Sequence, residues 1–256
     1  MNKDSENPLN MKPDPFAGDG YVFSETLCTE ERRSWFKRTN EIFAFLMITE
    51  HALKDCRKKY EYIARQKNLK PDTPFKIESS DGRSVITPLS TFLRQHENGV
   101  EVLCRQVFVM YYGSLETYLF ELIERSYKQR NTEEDILQLS LGIMMGSNWD
   151  GKFCKMRDSL GIGYKANDLK NHFSNFHMEF EGKAFKNPFV FLDELAQIRH
   201  KIVHASSILA KGKMIFFNAQ QFHALYAFCT LLTDYIDRIF SKQFGFERLK
   251  IDPAKA

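Results

Sequence analysis

Apolar positions recur at three- and four-residue spacing along most of the chain, a period that predicts helices. Thr29 is a capping residue followed by Glu30 and Glu31, and from there a long helix is expected to about Asn68. Its apolar face is carried by Ile42, Phe45, Leu46, Thr49, Leu53, Cys56, Tyr60 and Ile63. Pro71, Pro74 and Pro88 bracket β-branched residues on either side of Asp81-Gly82, which predicts a small hairpin inserted between helices. A second long helix is expected from Pro88 or Leu89 to about Lys128, with Gly99 marking a bend or break and Val102, Val109, Tyr112, Leu115, Leu119, Leu122 and Ile123 on its apolar side.

Further on, Thr132 with Glu133, Glu134 and Asp135 predicts a helix that Gly146 stops, and short helices are expected over residues 149–159 and 166–178. The spacing of Phe173, Phe176 and Phe180 reads as core packing rather than a base-stacking platform. Gly161-Ile162-Gly163 is a turn, without the strand and the Lys-Ser/Thr pair that a phosphate loop needs. Asn218 is expected to cap a last helix over residues 219–240, after a basic turn at Lys211-Gly212-Lys213 and a short extended piece from Met214 to Phe217.

The segment with the strongest local signals is residues 187–206. Asn187 is a cap, Pro188 suits the first helical position because it has no N–H to lose, and Asp193 and Glu194 favour the N-terminal half. Leu192, Leu195, Ile202 and Val203 make an apolar stripe, while Arg199, His200, Lys201 and His204 crowd the last two turns. A buried helix seldom carries such a cluster.

Arg199 and His204 stand with four residues between them, His200 follows the arginine, and Ile202-Val203 precedes the histidine; the run resembles the RxxxxH signature of HEPN domains. The stretch Tyr111 to Leu122, with Ser114-Leu115-Glu116 followed by aromatic positions, is similar to the first core helix of that family. Together the two matches cover roughly residues 100 to 240. The resemblance implies an all-α, HEPN-like helical bundle, homodimeric, acting as a metal-independent endoribonuclease of a toxin–antitoxin or antiphage-defence system. It also implies an antitoxin or defence-system partner protein. The alternative is a non-catalytic HEPN-type module that binds RNA or a protein. His200 departs from the asparagine most often found after the arginine in the family. The expected organisation is an irregular arm over residues 1–28, a helical extension with the hairpin over 29–98, the HEPN-like domain over 99–240 and a tail over 241–256.

Composition sets outer bounds. Hydrophobic residues make up 43%, with 23 Phe and 10 Tyr, enough for a substantial core, and 36 basic against 33 acidic residues leave a net charge of +3, so only a local basic patch bears on polyanion binding. Lys201, Lys211 and Lys213 are the candidates for such a patch, whereas Arg57-Lys58-Lys59 reads as a solvated helix face. The five cysteines (Cys28, Cys56, Cys104, Cys154, Cys229) form no CxxC pair, which argues against a zinc ribbon or a thioredoxin-like site. Met1 to Gly20 lacks an apolar core of signal-peptide length, and no stretch reaches about 18 uncharged apolar residues, so a cytoplasmic protein with no membrane association is expected.

Cutting RNA without a metal requires a group to take the 2′-OH proton, a proton for the leaving 5′-oxygen, and positive charge on the phosphorane between them. An imidazole can exchange protons near neutrality, and a guanidinium grips two phosphate oxygens at once, so His204 and Arg199 fit these roles. Five helical steps separate their directions by about 140° around the axis and about 7.5 Å along it. Either the long arginine reaches round, or a second copy meets the first across a two-fold axis and brings both pairs into one cleft; the family resemblance implies the second. His200 is an additional proton donor, and Glu116 a candidate for orienting a base. His200 and His204 also have the spacing of a helical zinc pair, but Lys201 stands where a zincin has its glutamate and no third ligand is evident, so no metal and no cofactor are expected.

Overall fold

The computed structural model describes residues 26–78, 80–130, 135–145, 148–162, 173, 177–180, 183–204 and 219–251. In chain order the elements are β1 (Thr26–Cys28), α1 (Glu30–Gln66), β2 (Pro74–Glu78), β3 (Ser84–Pro88), α2 (Leu89–Gln129), α3 (Ile136–Met144), α4 (Trp149–Leu160), β4 (Met178–Phe180), β5 (Lys183–Phe185), α5 (Pro188–Val203), α6 (Ala219–Phe244) and β6 (Leu249–Ile251). Six helices and three two-stranded antiparallel sheets make the described chain all-α in class. Among the described residues no helix is long and apolar enough to cross a membrane.

Two compact units emerge, one over Glu41–Val107 and the other over the residues up to Asn40 together with those from Phe108 on. The first unit is built on aromatic contacts. Tyr60 of α1 meets Phe75 of β2 edge-on at 5.0 Å and Phe92 of α2 at 4.9 Å, so one ring ties both helices to the hairpin. The hairpin pairs Pro74 with Pro88 and Glu78 with Ser84, as its turn chemistry predicted, and Gly82 takes the positive φ of 81° that this turn demands. Gly99 does not break α2, which runs straight through it, and a Cβ there would make only an ordinary van der Waals contact with Leu53 at 3.6 Å. Phe45, expected on the apolar face of α1, is exposed, whereas Ile42 and Leu46 are buried. Arg57 bonds Glu61 at 2.8 Å and pairs with Glu97 at 3.3 Å, while Lys58 and Lys59 are exposed.

The second unit has its centre at Trp35, which is fully buried and stacks on Tyr226 of α6 at 6.3 Å with Tyr111 of α2 against its edge. Tyr118 donates its hydroxyl hydrogen to the carbonyl of Thr233 at 3.0 Å, which fixes α2 against α6. Residues expected to lie in a loose arm and tail instead close this unit. β1 pairs antiparallel with β6, Thr26 opposite Ile251, and α6 runs four residues past its expected end to Phe244. Polar groups hold the closure: Asp237, fully buried, accepts from the Thr29 amide at 3.2 Å, from the Thr29 hydroxyl and from Arg248 at 3.2 Å, and Arg32 pairs with Asp234 at 2.6 Å.

Other boundaries shift for local reasons. α3 starts at Ile136 because Asp135 rather than Thr132 is its cap, accepting from the Gln138 amide at 3.2 Å. α4 begins at the Asn148 cap and ends at Gly161, whose φ of 59° is the left-handed conformation that suits glycine. Residues 178–180 form a strand in place of the end of the expected helix 166–178; the earlier part of that helix, apart from Phe173 and His177, lies outside the described residues, as do Thr132, Phe176, Met214 to Phe217 and Asn218. Phe173 and Phe180 are buried core residues, packed against Phe228 and Phe191 respectively.

Candidate functional site

α5 forms as its sequence dictates. The Asn187 side chain accepts from the Phe189 amide at 2.9 Å and Pro188 occupies the first position, so one of the free N–H groups of the first turn is capped and another is missing. Phe191, Leu192 and Leu195 are fully buried, with Ile198 and Ile202 nearly so, and side chains of this size contribute about 1.5–3 kcal/mol each. Phe191 is held by Phe228 of α6 at 5.3 Å, by Phe185 of β5 at 5.3 Å and by Phe180 of β4 at 5.9 Å, and Phe189 meets Phe153 of α4 at 5.3 Å. The buried face of the motif helix therefore packs against α4, β4, β5 and α6.

Its polar end is where the sequence placed it, but the helix is shorter than expected. It stops at Val203, with His204 outside it; Ala205 and Ser206, expected in the same helix, lie outside the described residues. His204 is the cap. Its amide donates to the His200 carbonyl at 3.0 Å, keeping the last turn closed, while its φ of −97° and ψ of 61° lead the chain out of the helix. Both imidazoles are exposed, with ring centroids 4.4 Å apart and planes inclined at 52°. Arg199 is half-buried, and its Nε is shielded from solvent without a hydrogen-bond partner. Lys201 is exposed beside them, and Lys211 and Lys213 lie outside the described residues.

No family model, no curated protein and no solved structure matches the chain. The functional reading therefore rests on the residues themselves.

Glu116 belongs to another cluster. Its carboxylate is 3.5 Å from the Lys152 ammonium, Lys152 lies over the Trp149 ring at 4.8 Å, and the Trp149 indole donates to the Tyr112 hydroxyl at 2.8 Å. Burial, followed by the charge of Glu116, pushes the Tyr112 hydroxyl well above its ordinary value. Asp193 completes the group: its carboxylate accepts from the Trp149 amide at 2.8 Å, so an acid of α5 serves the N-terminus of α4. Sequence reading missed this network, although a lysine on the buried side of a short helix, next to one of two tryptophans, was a signal for it. The structure brings Arg199, His200 and His204 to one helix end and pairs Glu116 with Lys152 instead.

The thiols are free, and Cys28, Cys104 and Cys229 are buried. Burial pushes Cys28 up to about 11 and Cys229 up to about 12, which leaves them poor nucleophiles.

Proposed function

We propose that the chain is a metal-independent endoribonuclease of HEPN type, working at a cleft between two copies with Arg199 and His204 as its reacting residues. The observation that carries this reading is the end of α5: a half-buried arginine directly precedes the first of two exposed imidazoles, on a helix anchored by its buried face. His204 removes the 2′-OH proton, the oxygen attacks the adjacent phosphorus, and a second imidazole protonates the departing 5′-oxygen. Arg199 supplies the fixed positive charge that the phosphorane needs. The second imidazole is His200 or a histidine of the other copy. Atoms balance if the products are a 2′,3′-cyclic phosphate and a 5′-hydroxyl.

Two features support a cleft built by two copies. Five steps of an ideal helix would set Arg199 and His204 about 140° apart around its axis, and a two-fold axis would duplicate both pairs around one phosphate. The face beside them carries the exposed Val203. A toxin or defence setting, with a partner protein that restrains the activity, belongs to the same reading. The test is cleavage of a mixed RNA pool in EDTA by the full chain and by Arg199→Ala and His204→Ala. Cutting that disappears in both variants supports the reading; RNA bound by the wild type but left intact would favour the non-catalytic module.

A further inference from the structure

We propose that the outer face of α1 between Glu41 and Lys59 is a self-association surface, on which two copies of the chain pack helix against helix, antiparallel, about a two-fold axis. Between Glu41 and Glu50 the helix carries eight residues without a charge, Ile42 to Thr49. Ile42 and Leu46 are buried, but Phe45, Met47 and Ile48 are 48%, 63% and 69% exposed. A helix that is apolar all round is ordinarily covered all round. Among the described residues this stretch is covered on one side only.

The exposed side has the spacing of a helix–helix seam. Glu41, Phe45, Ile48, Ala52, Asp55 and Lys59 follow one another at intervals of four, three, four, three and four residues, and all six are exposed. Alternating steps of three and four keep a row of side chains facing a second helix, and here the row is about 27 Å long. The other exposed apolar residues of this unit do not make such a row: Val85 and Ile86 are neighbours on β3 and so point to opposite sides of the hairpin.

The row is complementary to itself when reversed. In a two-fold interface residue i of one copy meets residue j of the other, and j meets i. Centred midway between Ile48 and Ala52, an antiparallel pair sets Ile48 against Ala52, a large side chain against a small one, and sets Glu41 against Lys59 at both ends. Neither Glu41 nor Lys59 has a salt-bridge partner among the described residues, so both charges are available. Phe45 then faces Asp55, which arrives already paired with His51 at 3.0 Å. A parallel pair would instead oppose Glu41 to Glu41, Asp55 to Asp55 and Lys59 to Lys59, so charge selects the antiparallel arrangement. One helix face per copy is small against the roughly 1,200–2,000 Å² of a standard interface, and the association is therefore concentration-dependent.

This surface goes beyond the ribonuclease reading and does not rest on it, since the seam lies on α1 and the proposed reacting residues on α5. Association is read by mass and cleavage by RNA ends, so each can fail without the other.

The experiment is sedimentation equilibrium of the full chain over a wide range of concentration, with circular dichroism and a urea melt of every variant. Ile48→Glu is expected to weaken self-association at least tenfold, whereas Ile86→Glu, which places the same charge at an equally exposed position on β3, leaves it unchanged. Glu41→Lys and Lys59→Glu are each expected to weaken it, and the double variant to restore it. A wild type that is monomeric throughout, or an Ile48→Glu variant that associates like the wild type, would overturn the surface. Ile48→Glu that loses stability at unchanged mass would overturn it too, by assigning the face to another part of the same chain. Charge reversals that add instead of rescuing each other would overturn the antiparallel pairing.

Discussion

The imidazoles of His200 and His204 lie 4.4 Å apart, one on the last turn of α5 and the other on the residue that ends it. His204 keeps a defined backbone position through its amide bond to His200, and the residue is exposed. That combination suits a group that must meet a large, flexible substrate.

The two histidines should differ in their effect on cleavage. His204→Ala removes the proposed base and should lower the rate by about 10²–10⁴-fold, whereas His200→Ala should lower it without abolishing it. Neither ring is buried, so both variants should keep the wild-type unfolding free energy in urea within roughly 0.5 kcal/mol. Rates measured on one RNA check this, and an unchanged rate for His200→Ala would remove its role as proton donor.

Arg199→Lys should behave like Arg199→Ala. An ammonium keeps the charge but cannot form two parallel bonds to phosphate oxygens, and its shorter reach places the charge differently. Both variants should lose a factor on the order of 10² in cleavage. A lysine variant that cuts at the wild-type rate would show that bulk charge suffices.

The closure of the second unit depends on Asp237. Its fully buried carboxylate serves Thr29 and Arg248, so truncation leaves buried donors without an acceptor. Asp237→Ala should cost about 3–5 kcal/mol in a urea melt. A loss below about 1 kcal/mol would mean that the strand pairing and the apolar contacts hold the termini without it.

How much of this was legible in the chain follows from the range of the interactions. The cap at Asn187, the core positions Leu192 and Leu195, and the cluster Arg199, His200, His204 are local, and spacing alone located them. The hairpin at Asp81-Gly82 was equally local. The pairing of Thr26–Cys28 with Leu249–Ile251 joins three-residue strands more than 200 residues apart, too short for a periodic signal and too distant for a turn signal. The bond from the Trp149 amide to Asp193 was hidden for the same reason, since an acid in the first half of a helix reads as serving its own N-terminus. At α3 the residues before Ile136 offered two capping types, and residue type alone could not choose Asp135 over Thr132.

Alkaline pH should weaken the fold through its thiols. Burial raises Cys28 to about 11 and Cys229 to about 12, above the ordinary value of about 8.5 that they take in the unfolded chain. Above about pH 8.5 the unfolded state therefore binds fewer protons than the folded one, and stability falls with rising pH until the folded thiols ionise as well. The urea midpoint should be lower at about pH 10 than at about pH 8. A midpoint that holds or rises over this interval would contradict the burial of these thiols.

The most direct measurement of the central claim is the chemistry of the ends left on an RNA incubated with the full chain in EDTA. Attack by the 2′-oxygen predicts fragments with a 2′,3′-cyclic phosphate on one side and a 5′-hydroxyl on the other, absent when His204→Ala replaces the wild type. Fragments carrying a 5′-phosphate, or cutting that EDTA abolishes, would contradict it.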